Sequence, residues 1–326
     1  ILEVNKLKKE EQVRIDAMNF NFPDYIPVRI SLLPATWKKY REELNELVAR
    51  YPELFEKELA EKRDYDDIRG TYSRGEHIDA WGCVWSNVQE GMEAIVTEHP
   101  LEKREDIHDF EPPEEDIGFP HGFMFLRLTD LRGYENLMID FAEEPPELEK
   151  LIDLVLQYNV RQMEKLLADE PEGQILFFGD DLGMQNNLPI SPDQWRKYLK
   201  PCYKKLYGMC QQNGYSVYMH SDGYILDIIP DLKECGVDVI NPQVRANGLE
   251  NLREVCKHKI CVDLDLDRQL FPRCSPKDIQ NHIREAVTKL GSPRGGLWLI
   301  AECAPDVPLE NIEAICAALR KYKDYY

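Results

Sequence analysis

The 326-residue sequence has no apolar run approaching the roughly 18–20 residues that a membrane span requires. Its first residues, ILEVNKLKKEEQVRID, lack the apolar core and cleavage site of a signal peptide, so a cytoplasmic protein with no membrane association is expected. Nine cysteines make an odd count with no CxxC pair, which excludes a disulfide framework and predicts reduced, buried thiols. Basic residues are scarce. Forty Lys and Arg stand against 60 Asp and Glu, and the formal charge of −20 repels phosphate backbones and anionic lipid surfaces, so no nucleic-acid partner is expected. Neither GxGxxG nor GxxxxGK[ST] occurs, which argues against a nucleotide-binding open sheet, and no internal repeat or low-complexity tract is present.

What is present is the 43% hydrophobic content of a folded chain with a sizeable core. Up to about residue 75 the sequence is charged and helical in pattern, notably Thr36 to Lys62, with Val28 to Leu33 reading as a strand inside it. From about residue 120, short apolar or β-branched runs alternate with helix-length segments. The candidate strands are Phe123 to Leu126, Gln174 to Phe178, Ser216 to Met219, Val237 to Ile240, Ile260 to Leu264 and Leu297 to Ile300. Ser191-Pro192 and Ser275-Pro276 read as helix starts, and Gly236 and Gly291 as stops. With a weaker run at Trp81 to Trp85, the strand candidates number eight. This predicts an α/β fold, a single (β/α)8 TIM-type barrel over residues 1–326, with about 1–75 as a helical N-terminal extension that includes the first strand. Pro112 to Pro120 is expected to be a connecting loop.

Barrel chemistry sits at the C-terminal ends of the strands, so the residues that follow each run are the candidates. These are Asp180 and Asp181, then His220 and Asp222, then Gln243, and finally Glu302 and Cys303. His220 and Asp222 are two apart and point the same way from an extended segment. With Cys303 they predict a three-ligand Zn²⁺ site that keeps one position open. Asp180 and Asp181 read either as a helix cap or turn, or as catalytic carboxylates that move a proton or orient the histidine. The aromatic set Tyr72, His77, Trp81 and Trp85 reads as core, or as the wall of a substrate pocket.

Several segments together, FFGDDLGMQNNLPISPDQWRKYLKP (177–201), YMHSDGYILDIIPDLKECGVDVINPQV (218–244) and GGLWLIAECAPDVPLENIEAI (295–315), give the chain a likeness that extends through DAWGCVW (79–85), HPL (99–101) and FLRLTDLRGYENLMIDFAEEPP (125–146). It resembles the uroporphyrinogen decarboxylase superfamily, which includes decarboxylases and zinc-dependent, corrinoid-linked methyltransferases. The resemblance implies a single (β/α)8 barrel with an N-terminal extension. The decarboxylases carry an arginine-rich PxWxMRQAGRY segment, whereas the corresponding region here, Ile30 to Trp37, shows no such arginine cluster. The methyltransferase branch carries His-x-Cys after the fifth strand and a Cys after the eighth as zinc ligands. His220 and Cys303 match that pattern and Asp222 replaces the first cysteine, which makes the site harder.

The resemblance therefore implies a corrinoid-dependent methyltransferase. A methyl group would move between a small methylated substrate, such as an aryl methyl ether, and a cobalamin carried by a separate corrinoid-binding protein, with Zn²⁺ as Lewis acid. His77, Trp81, Trp85, Gln243 and Glu302 are the expected substrate-binding residues. The alternatives are a uroporphyrinogen decarboxylase-type enzyme and a non-catalytic tetrapyrrole- or metal-binding barrel.

Overall fold

The computed structural model describes residues 2–55, 63–115, 117–169 and 173–325. Its strands are β1 (Val28–Leu32), β2 (Gly75–Ile78), β3 (Val84–Asn87), β4 (Ile95–Glu98), β5 (Ile175–Gly179), β6 (Ser216–Ser221), β7 (Val239–Pro242), β8 (Cys261–Asp265) and β9 (Leu297–Cys303). They form a six-stranded sheet in the order β1-β9-β8-β7-β6-β5 and a three-stranded sheet in the order β2-β3-β4. The fold class is α/β of TIM-barrel type, with strands and helices alternating from β5 onward. No helix among the described residues is long and apolar enough to cross a membrane.

The described residues divide into two compact units, one of residues 1–74, 87–93 and 241–326, the other of 75–86 and 94–240. In the first unit β1 pairs with β9 in parallel, Val28 opposite Leu299, and β9 with β8, Leu297 opposite Val262. All five residues of β8 (CVDLD) are buried, and its two aspartates are paired there, Asp263 with Arg29 at 2.8 Å and Asp265 with Arg268 at 2.9 Å. Helices Pro276–Leu290 and Leu309–Tyr322 pack against each other. The first of them starts at the predicted signal. Ser275 Oγ accepts from the Asp278 amide, and the Asp278 carboxylate accepts from the Ser275 amide, a reciprocal capping box.

In the second unit β5 and β6 are parallel, with Gly179 opposite His220. Ser191 caps the helical segment that follows it by accepting from the Gln194 amide, and Gly236 ends helix Ile229–Cys235 in the left-handed conformation at φ 116°. All nine cysteines are free thiols, eight of them buried.

Two predicted strands take other forms. The run Phe123 to Leu126 enters a helix, Phe125–Arg132, because its first amides are capped by a carboxylate distant in sequence, described below. The run Trp81 to Trp85 supplies the start of β3, which pairs antiparallel with β4 rather than joining the parallel sheet. The predicted helix Thr36 to Lys62 appears as Pro34–Arg50 followed by a 3-10 turn at Pro52–Leu54, and residues 56–62 lie outside the described residues.

Candidate metal centre

β5 and β6 end side by side, and the parallel register that sets Gly179 against His220 carries over into the loops, where the Asp180 amide donates to the His220 carbonyl at 3.1 Å. Ser221 Oγ accepts from the Leu182 amide at 2.9 Å and donates to the Asp222 carbonyl at 3.0 Å, tying the two loops together. The Asp222 amide donates to Asp181 Oδ1 at 2.8 Å. Asp222 Oδ1 lies 3.1 Å from His220 Nε2, so the two side chains do share a face, as their spacing predicts.

A third segment completes the cluster. The Gly122 amide donates to the Gly179 carbonyl at 2.8 Å, which lays His121 over the end of β5. His121 Nε2 is 3.1 Å from Asp181 Oδ2, and His220 Nε2 is 3.9 Å from Asp181 Oδ1. The two imidazole rings stand 5.6 Å apart, tilted by 47°. The close approach depends on Gly179, because a Cβ there would come within 2.4 Å of His121 Nδ1. One ligand atom each from His121, Asp181 and His220 lies within 4.8 Å of the others. His121 is exposed and the other two are half-buried, so the cluster is open to solvent.

The donor set fits a divalent cation. Two imidazole nitrogens and one carboxylate oxygen make a three-ligand set typical of catalytic Zn²⁺, with a position left over. Bonds of about 2.0–2.2 Å in a tetrahedral site place ligand atoms roughly 3.3–3.6 Å apart, and the 3.1 and 3.9 Å separations bracket that range. Among the described residues no thiol joins the cluster, so the site is harder than a cysteine-bearing one.

Asp180 does a different job from its neighbour. It is fully buried and its carboxylate accepts from the Met124, Phe125 and Leu126 amides at 3.1, 2.6 and 2.9 Å and from the Tyr203 hydroxyl at 2.6 Å. Three of those donors open helix Phe125–Arg132, so Asp180 caps it from outside its own sequence neighbourhood. Burial pushes its carboxyl above the ordinary range, against the pull of Tyr203 and the amides.

Trp81 and Trp85 lie beside a second acidic group, Asp79. Its carboxylate accepts from the Trp85 indole at 3.0 Å, the Arg127 guanidinium at 2.8 Å and the Cys83 amide at 2.9 Å. Burial acts to raise its carboxyl, but these donors bring it below the ordinary range. Trp81 is buried against Tyr158 and Phe110, while exposed His77 on β2 stacks on half-buried Trp85 at 6.1 Å. Nearby Asp130 lies 3.9 Å from Arg127, and burial raises its carboxyl to about 7.

The remaining candidates lie in the first unit. Glu302 is held by Arg268 at 2.7 Å, and Arg268 also grips Asp265. The Gln243 carbonyl accepts from Asn247 Nδ2 at 2.9 Å, and Gln243 bridges to Asp265 beyond the end of β7. Cys303, opposite Leu32 at the end of β9, is wholly buried, and burial pushes its thiol well up. Of the predicted site residues, Asp181, His220 and Asp222 thus come together. His121 was not singled out in the sequence, where it sits at the end of the Pro112 to Pro120 connector; its signal was the glycine before Asp180, which only a close approach explains.

A family model described as uroporphyrinogen decarboxylase (URO-D) matches residues 124–322. No curated protein matches the sequence. Among solved structures, a methyltransferase from Methanosarcina mazei is similar over 96% of this chain and 98% of its own, with a TM-score of 0.64 at 18% identity, which shows the shared fold. A Xanthomonas albilineans dihydropteroate synthase with 4-aminobenzoic acid aligns over 51% of this chain and 60% of its own (TM-score 0.34, 14% identity). A B12-independent methionine synthase from Shewanella sp. W3-18-1 in complex with selenomethionine aligns over 71% and 68% (TM-score 0.38, 14% identity).

Proposed function

The chain belongs to the uroporphyrinogen decarboxylase (URO-D) family, and on that premise we propose that it is a metal-assisted methyltransferase, with a small methylated substrate such as an aryl methyl ether and a cobalamin carried by a separate corrinoid protein as the two ends of the transfer. The observation that carries this reading is the cluster of His121, Asp181 and His220 at the C-terminal ends of β5 and β6, where barrels keep their chemistry. The chain lacks the PxWxMRQAGRY pattern, and an acidic porphyrinogen would meet a chain of charge −20, which counts against the decarboxylase reading.

In this reading His121, Asp181 and His220 hold a Zn²⁺ ion. When bound, the ion supplies Lewis acidity toward an ether or alcohol oxygen. The chain's own residues do the positioning. The Asp222 amide fixes Asp181 Oδ1, which leaves Asp181 oriented between the two imidazoles. The Asp222 carboxylate lies 3.1 Å from the same His220 Nε2 that faces Asp181, and so adds a further carboxylate beside the ligand position. Asp180 fixes the Asp181 loop to helix Phe125–Arg132 through its buried hydrogen bonds. Solvent-exposed His121 is the cluster's open side, from which a substrate oxygen has access.

The test combines metal analysis of protein purified without chelator with methyl transfer to free cob(I)alamin from a panel of aryl methyl ethers and methylated amines. Stoichiometric zinc that is lost in H121A and H220A, together with methylcobalamin formed from one donor, is the expected result. Turnover of uroporphyrinogen without corrinoid would establish the decarboxylase instead, and metal binding without any transfer would leave a binding barrel.

A further inference from the structure

Among the described residues, the six-stranded sheet has a single exposed member, Phe177 in the middle of β5, with 55% of its surface open. Parallel strands are ordinarily covered on both faces, so an open phenyl at mid-strand marks a place that the fold keeps clear. On the methyl-transfer reading of the metal cluster, on which this rests, we infer that Phe177, backed by Tyr218, is the stacking floor for a neutral aromatic ring whose oxygen substituent reaches His121, Asp181 and His220. The substrate class is then an aryl methyl ether, in preference to an alkyl ether or a methylated amine.

Strand register sets the geometry. Phe177 stands opposite Tyr218, and Gly179 opposite His220, along one parallel pair. Side chains two apart on a strand share a face, so Phe177 and Tyr218 lie on the face that carries His220 and that receives His121 at Gly179. The other face is closed, with Phe178 buried against Phe119, Phe123 and Tyr207. Two residues of parallel strand set Phe177 roughly 6.6 Å below the level of Gly179 and His220, a separation that one ring and its oxygen bridge. The buried Tyr218 ring packs on Phe177 with centroids 4.7 Å apart and planes tilted by 40°. One side of the phenyl is therefore held in place while the rest of it stays open to a ligand.

Charge narrows the ligand. The Asp181 and Asp222 carboxylates stand 3.9 and 3.1 Å from His220 Nε2, and together they balance a bound divalent ion, so the cluster draws neither a further cation nor a further anion strongly. A quaternary ammonium is recognised by a cage of several aromatic faces, whereas Phe177 offers one open ring and its stacking partner is buried. A flat, neutral ring bearing one oxygen suits the stack and the cluster together.

Calorimetry on the full chain, metal-free and zinc-loaded, tests this with phenol as the probe and with cyclohexanol and tetramethylammonium as comparisons. Phenol is expected to bind about three- to tenfold more tightly than cyclohexanol in both forms, since ring stacking does not need the ion. Phe177→Leu is expected to remove that preference while leaving cyclohexanol affinity and zinc content unchanged. Because the ring is more than half exposed, an unchanged thermal melt is expected beside it. Crystals soaked in 4-iodophenol provide a measurement without any variant, with an anomalous iodine peak expected on the open side of Phe177. Cyclohexanol or tetramethylammonium binding as tightly as phenol, a phenol preference intact in Phe177→Leu, or iodine absent from Phe177 each overturns the ring site. Phenol held on Phe177 by a protein that transfers no methyl group keeps the ring site and removes the transfer, whereas transfer from methylated amines with no phenol preference keeps the transfer and removes the ring site.

Discussion

The Tyr203 hydroxyl donates to Asp180 Oδ2 at 2.6 Å, and both residues are fully buried. The bond belongs to a cap that joins three amides of helix Phe125–Arg132 to the loop carrying Asp181. A hydrogen bond to a buried carboxylate contributes about 1.5–3 kcal/mol, and leaving several buried donors without their acceptor costs more. Tyr203→Phe is therefore expected to lower unfolding free energy by about 2 kcal/mol, and Asp180→Ala by about 3–5 kcal/mol. Urea denaturation checks both, and a neutral Asp180→Ala would refute the cap as a stabilising element.

Gly179 ties backbone geometry to the cluster more directly. With a Cβ 2.4 Å from His121 Nδ1, Gly179→Ala has to displace the imidazole, while the strand itself tolerates alanine. Displacing one of three ligands is expected to weaken metal binding about 10–100-fold with little loss of stability. Competition for Zn²⁺ against a calibrated chelator, beside a thermal melt, measures the two effects separately. Wild-type affinity in the variant would remove His121 from the ligand set.

Much of this was legible in the sequence because it is local. β1, β5, β6, β8 and β9 follow from apolar runs within a residue or two at their starts, and Ser191 and Ser275 announce their own helices. The HxD spacing of His220 and Asp222 likewise needs only strand geometry. What was not legible is non-local. Phe123 to Leu126 has strand-like composition, but its amides are satisfied by a carboxylate more than 50 residues away, which decides for helix. His121 arrives from a connector that no periodicity describes, and only its contact with Gly179 places it at the site.

Asp130 gives the fold a pH dependence. Burial raises its carboxyl to about 7 in the folded protein; Asp79 and Asp180 raise it further, and Arg127 and His121 oppose them. A carboxyl whose folded value lies above its unfolded one contributes stability that is fully present below about pH 4 and is lost as pH rises toward 7. Asp130→Asn keeps the neutral shape at every pH. It is expected to leave stability at pH 4 nearly unchanged and to raise it by about 1–4 kcal/mol at pH 8. Urea midpoints across that range test this, and a variant whose deficit grows with pH would show that ionised Asp130 is stabilising through Arg127.

Cys303 decides between two ligand sets. The resemblance assigns it to the metal, together with His220 and Asp222, whereas the geometric cluster consists of His121, Asp181 and His220. Among the described residues no thiol joins that cluster, and Cys303 is wholly buried, its thiol pushed well above its ordinary value by burial, with Cys316, Glu302 and Asp306 adding to the effect. Cys303→Ala is accordingly expected to retain a full complement of zinc and to lower stability by about 1 kcal/mol for the lost sulfur. Under the same conditions Asp181→Asn is expected to weaken metal binding by at least about 100-fold, and Asp222→Asn by about tenfold, since its carboxylate stands beside His220 Nε2 without belonging to the cluster of three. Metal analysis of the three variants reads the order directly. Loss of zinc in Cys303→Ala with retention in Asp181→Asn would reverse the assignment and return the thiolate to the centre.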